Sequence, residues 1–228
     1  MHSGNRAGVF SDTQTMGMVR LGNAAVKVPW KKLPDDSGWF LYCKLNEQPV
    51  LVDTGAALLA KRIQAIGLQN PILVTPEAST ISLAEKLQTD YGIDTLVIYK
   101  SIRDDDIDPV SIGYHAVTSQ DEKRLFLGRN QLTKLQDRDI VILDSICTTG
   151  GTLQAVWDLL VKAGIPAARI RESEILFVEG EPRGSISLAN GDELPIHSFS
   201  RLPIRHAENM LTSSVLDEAP SRRFSDSR

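Results

Sequence analysis

Along the middle of the chain, short aliphatic runs alternate with stretches whose apolar residues return every three or four positions. Four runs stand out: Ile72-Leu73-Val74-Thr75, Thr95-Leu96-Val97-Ile98-Tyr99, Ile140-Val141-Ile142-Leu143 and Ile175-Leu176-Phe177-Val178. They are brief, rich in β-branched residues and bounded by polar residues or proline, which predicts buried strands of one sheet. Helical periodicity falls over residues 56–66, with Leu58, Leu59, Ile63 and Ile66 on one face, over 80–87, and over 152–162, which Gly164 and Pro166 terminate. Strands alternating with helices in this way predict an α/β fold, a parallel sheet flanked by helices.

One interval breaks the rhythm. After Lys100, residues 101–136 hold two weak strand-like runs, 110–117 and 125–127, between the charged clusters Arg103-Asp104-Asp105-Asp106 and Asp121-Glu122-Lys123-Arg124. This predicts a flexible hairpin between two core strands. Residues 39–43 and 194–204 are expected to pair as a small added sheet over one edge. Residues 1–18 and 205–228 are rich in small polar residues with little periodicity, so both are expected to be flexible tails around a domain at 19–204.

Composition narrows this only a little. A length of 228 residues suits one decorated domain, and 42% hydrophobic with 24% charged residues is ordinary for a packed core. Lys and Arg number 25 against 29 Asp and Glu, a net charge of −4, which argues against a nucleic-acid partner. Cys43 and Cys147 are too few and too far apart for a disulfide scaffold or a cysteine zinc site, and read as free thiols. No apolar run approaches the ~20 residues of a spanning helix. The expectation is a soluble, cytoplasmic protein with no membrane partner.

In open α/β sheets ligands bind beyond the carboxyl ends of the strands, here after Thr75, Tyr99 and Leu143. The third of these loops carries the strongest chemistry, in Asp144-Ser145-Ile146-Cys147-Thr148-Thr149-Gly150-Gly151-Thr152. Gly150 and Gly151 let the backbone turn tightly against an anion. The helix that follows offers unpaired N–H groups and its positive end, and Thr148, Thr149 and Thr152 add hydroxyls. The segment lacks both the Gly-Lys-Ser/Thr of a P-loop and a Gly-x-Gly-x-x-Gly fingerprint. Thr152 alone would be an ordinary helix cap; the combination with two glycines, two further threonines and an acid points to phosphate.

This segment resembles the loop of the type I phosphoribosyltransferases that binds 5-phosphoribosyl-1-pyrophosphate (PRPP): aliphatic residues, two acids, two further residues, then a Thr/Ala-Thr/Ala-Gly-x-Thr turn. The resemblance implies that Thr148, Thr149, Gly150, Gly151 and Thr152 hold the 5′-phosphate while Asp144 and Ser145 face the ribose hydroxyls. Ser145 departs from the pattern, standing where the second acid is usual. Ile72 to Ala84 is similar to the strand, pyrophosphate loop and helix of the adenine and xanthine branch, which assigns Ala78, Ser79 and Thr80 to pyrophosphate. Thr80 replaces a glycine there, and Glu77-Ala78-Ser79 by itself reads better as a plain helix start, with Pro76 and an acid in the first turn. Lys100 takes the place of an arginine that neutralises pyrophosphate, with Ser101 after it. Asp53 or Thr54 is expected to cap the helix that follows Gln48-Pro49-Val50-Leu51-Val52.

The likeness spans residues 46–179, and the flanking segments would form a hood over the base. It implies transfer of the phosphoribosyl group from PRPP to a nucleobase of adenine or xanthine type, with release of pyrophosphate. Asp144 and Lys100 would be catalytic, and Mg²⁺ would be carried on the pyrophosphate with Asp144 as the candidate protein ligand. A homodimer is implied as well. The missing acid keeps a second reading open, a PRPP-binding regulatory protein of the same fold that does no chemistry. A DNA-binding repressor of this branch is disfavoured, because residues 1–45 and a net charge of −4 offer no basic DNA-binding domain.

Overall fold

The computed structural model describes residues 16–33, 37–115, 122–181 and 183–206. Its centre is a six-stranded sheet. The strands β4 (Ile72–Pro76), β5 (Thr95–Ile98), β8 (Ile140–Cys147), β9 (Ile170–Glu179), β10 (Ser185–Ser187) and β11 (Glu193–Leu202) lie in the order β10-β11-β9-β8-β4-β5. Five run parallel, and β10 closes the edge antiparallel to β11.

Alternation along the strands sorts the core. On β4, Ile72 and Val74 join one apolar cluster and Leu73 the other; on β8, Ile140 and Ile142 part in the same way from Val141 and Leu143. The helix α3 (Gly151–Lys162) covers the first face through Leu153, Val156, Leu159 and Leu160. The helices α1 (Pro49–Ala65) and α2 (Ile81–Tyr91) cover the second through Leu51, Leu59, Ile63, Leu83 and Leu87.

A second, antiparallel sheet forms the hood. It consists of β1 (Met16–Leu21), β2 (Ala24–Lys32), β3 (Gly38–Leu41) and β12 (Ile204–His206), in the order β1-β2-β3-β12. The hairpin expected within 101–136 is present as β6 (Val110–His115) and β7 (Glu122–Leu127), tied to the central sheet by a bridge from Tyr99 to Phe126. No helix among the described residues is long and apolar enough to cross a membrane.

Several boundaries differ from expectation. Helix α1 starts at Pro49, seven residues before the predicted helix, so Asp53 and Thr54 lie within it and cap nothing. Val50-Leu51-Val52 has strand-like composition, yet Leu51, Val52, Gly55, Ala56, Leu59, Ala60 and Ile63 form one buried helical stripe, and the burial overrides propensity. Asp53 instead pairs with Lys86 of α2 at 3.0 Å. The stretch 194–204 is divided: Leu194 to Leu202 belongs to β11 in the central sheet, and only Ile204 onward, beyond Pro203, pairs with β3. The expected tails reach too far inward, since β1 takes in Met16 to Met18 and β12 takes in Arg205 and His206. Residues 1–15 and 207–228 lie outside the described residues.

Candidate active site

Strand β8 runs through Cys147, four residues past its aliphatic run, so Asp144 and Ser145 sit in the sheet and are buried. The chain then turns through Thr148, Thr149 and Gly150 into α3. Gly150 has φ +91, and a Cβ there would come within 2.7 Å of the Ile186 side chain, so only glycine suits the turn. The Gly151 position is bounded by the His115 carbonyl, 3.2 Å from a built Cβ, which brings the end of β6 up to the loop. Thr149 and Thr152 keep hydroxyls without a hydrogen-bond partner among the described residues, beside the first N–H groups of a 12-residue helix. The Thr148 hydroxyl donates to Glu179 Oε2 at 2.6 Å.

Beside this loop lies the turn between β4 and α2. Its Glu77–Ala78 peptide bond is cis. Glu77 Oε1 accepts the Lys100 backbone N–H at 2.6 Å, and the Glu77 N–H donates to the Ile98 carbonyl, which fixes the turn to the end of β5. Ser79 and Ser145 hydroxyls are 2.7 Å apart and join the turn to β8. For Thr80 the hydroxyl half of the sequence reading does not hold. Its side chain is wholly buried, donating to the Pro76 carbonyl at 2.7 Å and lying 2.7 Å from the Thr75 hydroxyl, so it braces the turn and offers no hydroxyl to a ligand.

These elements surround one cleft of about 760 Å³. Asp144, Ser145, Thr148, Thr149, Gly150, Gly151, Thr152, Ala78, Ser79 and Lys100 all line it. Burial pushes the Asp144 carboxyl up to about 6, against the Ser145 N–H at 2.7 Å and the Lys100 ammonium, which both favour its charge. Lys100 is exposed, yet its pKa is lowered, by partial desolvation of its ammonium and then by Lys123, with Glu77 and Asp144 pulling the other way. Burial lifts the Cys147 thiol to about 11, so it lies protonated and inert in the loop.

Sequence reasoning named nothing from the hairpin or the hood, yet Tyr114, His115 and Lys123 line the cleft from one side and Lys31, Phe40 and Tyr42 from the other. Lys31 Nζ sits 3.5 Å from the Tyr42 ring centre. A signal for Lys123 exists in the alternation of β7, which puts Lys123 on the face of buried Leu125 and Leu127. The hood carries no such signal, because its pairing is non-local. Glu179 was also missed as a site residue: it ends β9, lines the cleft and is 3% exposed.

Among solved structures, the adenine phosphoribosyltransferase of Giardia lamblia in complex with 9-deazaadenine superposes with a TM-score of 0.56 at 14% identity, covering 82% of this chain and 93% of that one. The enzyme of Thermoanaerobacter pseudethanolicus gives 0.56 at 16% identity, over 76% and 95%. That of Saccharomyces cerevisiae, complexed with an imino-altritol bisphosphate and adenine, gives 0.52 at 13%, over 75% and 92%. At such identities the likeness is one of fold. No curated protein matches the chain in sequence. The phosphoribosyl transferase domain family matches residues 42–171, more than half of the chain and the whole of both loops. By that match, on a sheet whose β8 and β4 turns meet over one cleft, the chain belongs to the phosphoribosyl transferase domain family.

Proposed function

We propose that this protein transfers the 5-phosphoribosyl group of PRPP to a purine, of adenine or xanthine type, and releases pyrophosphate. The observation that carries the reading is the pairing of two anion-binding turns across one cleft, the loop 148–152 after β8 and the loop 77–80 after β4, clasped by Ser79 and Ser145. Their separation onto neighbouring strands suits a substrate with a phosphate at one end and a pyrophosphate at the other. Supporting the purine choice, two structures of the same fold hold 9-deazaadenine and adenine.

In this reading the N-terminus of α3, Thr149 and Thr152 bind the 5′-phosphate. Asp144 orients the ribose and stabilises the cationic sugar, and Ala78, Ser79 and Lys100 receive the pyrophosphate. Asp144 is ionised at neutral pH, since its pKa of about 6 lies below 7. No cluster of three metal-ligating side chains occurs among the described residues. That donor set fits an Mg²⁺ ion held chiefly by substrate oxygens, with Asp144 as the protein carboxylate in reach, and such an ion would neutralise pyrophosphate charge. A homodimer and a cytoplasmic location accompany the proposal.

Ser145 favours a second reading, a PRPP-binding regulator without catalysis, because one absent electrostatic partner costs about 10²–10³ in rate. Incubation with PRPP, Mg²⁺ and a panel of purine and pyrimidine bases separates the two. Nucleotide and pyrophosphate from adenine, xanthine or a related purine support the transferase; PRPP binding in calorimetry without product from any base supports the regulator. Absence of PRPP binding overturns both.

A further inference from the structure

Glu179 is a buried carboxylate of the cleft to which the mechanism above gives no task. Its Oε2 accepts the Thr148 hydroxyl at 2.6 Å, and Oε1 has no hydrogen-bond partner among the described residues. No cation lies within ion-pair distance of it among those residues. The other cleft acids are occupied: Glu47 pairs with Lys44, Glu77 accepts the Lys100 N–H, and Asp144 accepts the Ser145 N–H. A largely buried carboxylate with one neutral donor is costly to fold, and its second oxygen is left open to the cleft for a ligand.

Strand order says which ligand atom that is. Loop 148–152 and Asp144 top β8, while loop 77–80 tops β4 and Lys100 follows β5, on one side of β8. Glu179 ends β9, the neighbour of β8 on the opposite side. With the sugar over β8 and pyrophosphate toward β4, the position opposite the leaving group at C1′ lies over β9. Displacement at that carbon brings the nucleophile in from this side.

We propose that Glu179 accepts the ring N–H proton of the incoming nucleobase, an assignment that rests on the transferase reading. The ring nitrogen forms its bond to C1′, the bond from C1′ to the pyrophosphate oxygen breaks and its electron pair leaves with pyrophosphate, and the ring N–H proton passes to the Glu179 carboxylate and afterwards to water. The Thr148 hydroxyl positions the carboxylate through Oε2. Burial raises the pKa of Glu179, which suits a proton acceptor. Cys147 of β8 feels the charges of Glu179, Asp144 and Arg183, which donates to the Thr149 carbonyl, and Lys31 and Lys100 line the same cleft.

The test compares wild type with Glu179→Gln, which keeps the shape and an acceptor for Thr148 but takes no proton. With the best base of the panel, kcat is expected to fall about 10²–10³-fold while the PRPP dissociation constant stays within threefold. A base analogue with a more acidic ring N–H should recover much of that loss, and Glu179→Asp should retain at least a tenth of wild-type kcat. A kcat of E179Q within threefold of wild type, a loss independent of N–H acidity, or a parallel loss of PRPP binding overturns the role of Glu179 and leaves the transferase reading intact. If E179Q does not fold, kcat must depend more steeply on N–H acidity in E179D than in wild type; equal slopes overturn the proposal. A wild type that makes no nucleotide from any base overturns the transferase reading and this one with it.

Discussion

The Ser79 and Ser145 hydroxyls lie 2.7 Å apart, so the side chain that replaces the family's second acid is the one that joins the pyrophosphate turn to β8. Ser145 is 4% exposed, one residue from Asp144. An aspartate at 145 would retain a partner for Ser79 and add an acceptor for the ribose, but it would also place a second negative charge beside a buried carboxylate. Like charge raises both pKa values. Ser145→Asp should therefore raise kcat about tenfold at pH 8.5, by restoring part of an electrostatic contribution worth about 10²–10³. The gain should vanish by pH 6, with the acidic limb of the rate profile displaced upward. A pH series of initial rates for both proteins checks this, and equal profiles would show that Ser145 leaves rate and ionisation unaffected.

Asp144 has an opposite pH signature in stability. Its folded-state pKa of about 6 lies above the ordinary 3.8 because burial disfavours the charged form. The stability it contributes is full below pH 3.8 and is lost as pH rises through 6, so at neutral pH the ionised side chain destabilises the fold. The displacement corresponds to up to about 3 kcal/mol. Asp144→Asn should raise the denaturant midpoint at pH 8 by the equivalent of about 1–3 kcal/mol, have little effect at pH 4, and lower transferase activity at least 100-fold. Urea titrations at the two pH values measure it, and a variant less stable than wild type at pH 8 contradicts the assignment.

Lys100 should separate the two ends of the substrate. It follows β5 on the pyrophosphate side, held at its backbone by Glu77, with the charge of Lys123 acting on its ammonium. Lys100→Met preserves the aliphatic stem and removes the charge. PRPP binding should weaken at least tenfold while ribose 5-phosphate binding changes less than twofold, both read by calorimetry at fixed ionic strength. Equal losses for the two ligands would place Lys100 elsewhere than at the pyrophosphate.

Local pattern made the parallel core legible: Ile140 to Leu143 reads as a strand because both faces of β8 are buried, and Thr148 to Thr152 reads as an anion turn because its chemistry is contiguous. The Thr80 hydroxyl was misread for the complementary reason. A hydroxyl in a loop looks free in sequence, and only the packing of Thr75, Pro76 and Leu143 shows that it is consumed within the fold. The start of α1 was obscured by Val50-Leu51-Val52, whose β-branched residues favour a strand until Ala56, Leu59 and Ile63 extend the same buried stripe. Glu179, Lys123 and Tyr42 come from segments far apart in the chain, and no spacing rule joins them to the loop they face.

The turn at Gly150 is where sequence, backbone and ligand site coincide most tightly. At φ +91, with Ile186 within 2.7 Å of a built Cβ, alanine is disfavoured both by conformation and by contact. Ile186 is 7% exposed on the edge strand β10, and its packing against the loop is the relationship that a methyl group would force apart. Gly150→Ala should cost about 1–3 kcal/mol of stability, from a strained φ and a displaced side chain. The same displacement moves the first N–H groups of α3, so ribose 5-phosphate and PRPP should both bind at least tenfold more weakly, unlike the selective loss at Lys100. Replacing Ile186 by alanine as well removes the contact but leaves the strained φ. The double variant should regain part of the ligand affinity lost by G150A, and no recovery would mean that the left-handed backbone alone sets the geometry of the phosphate turn.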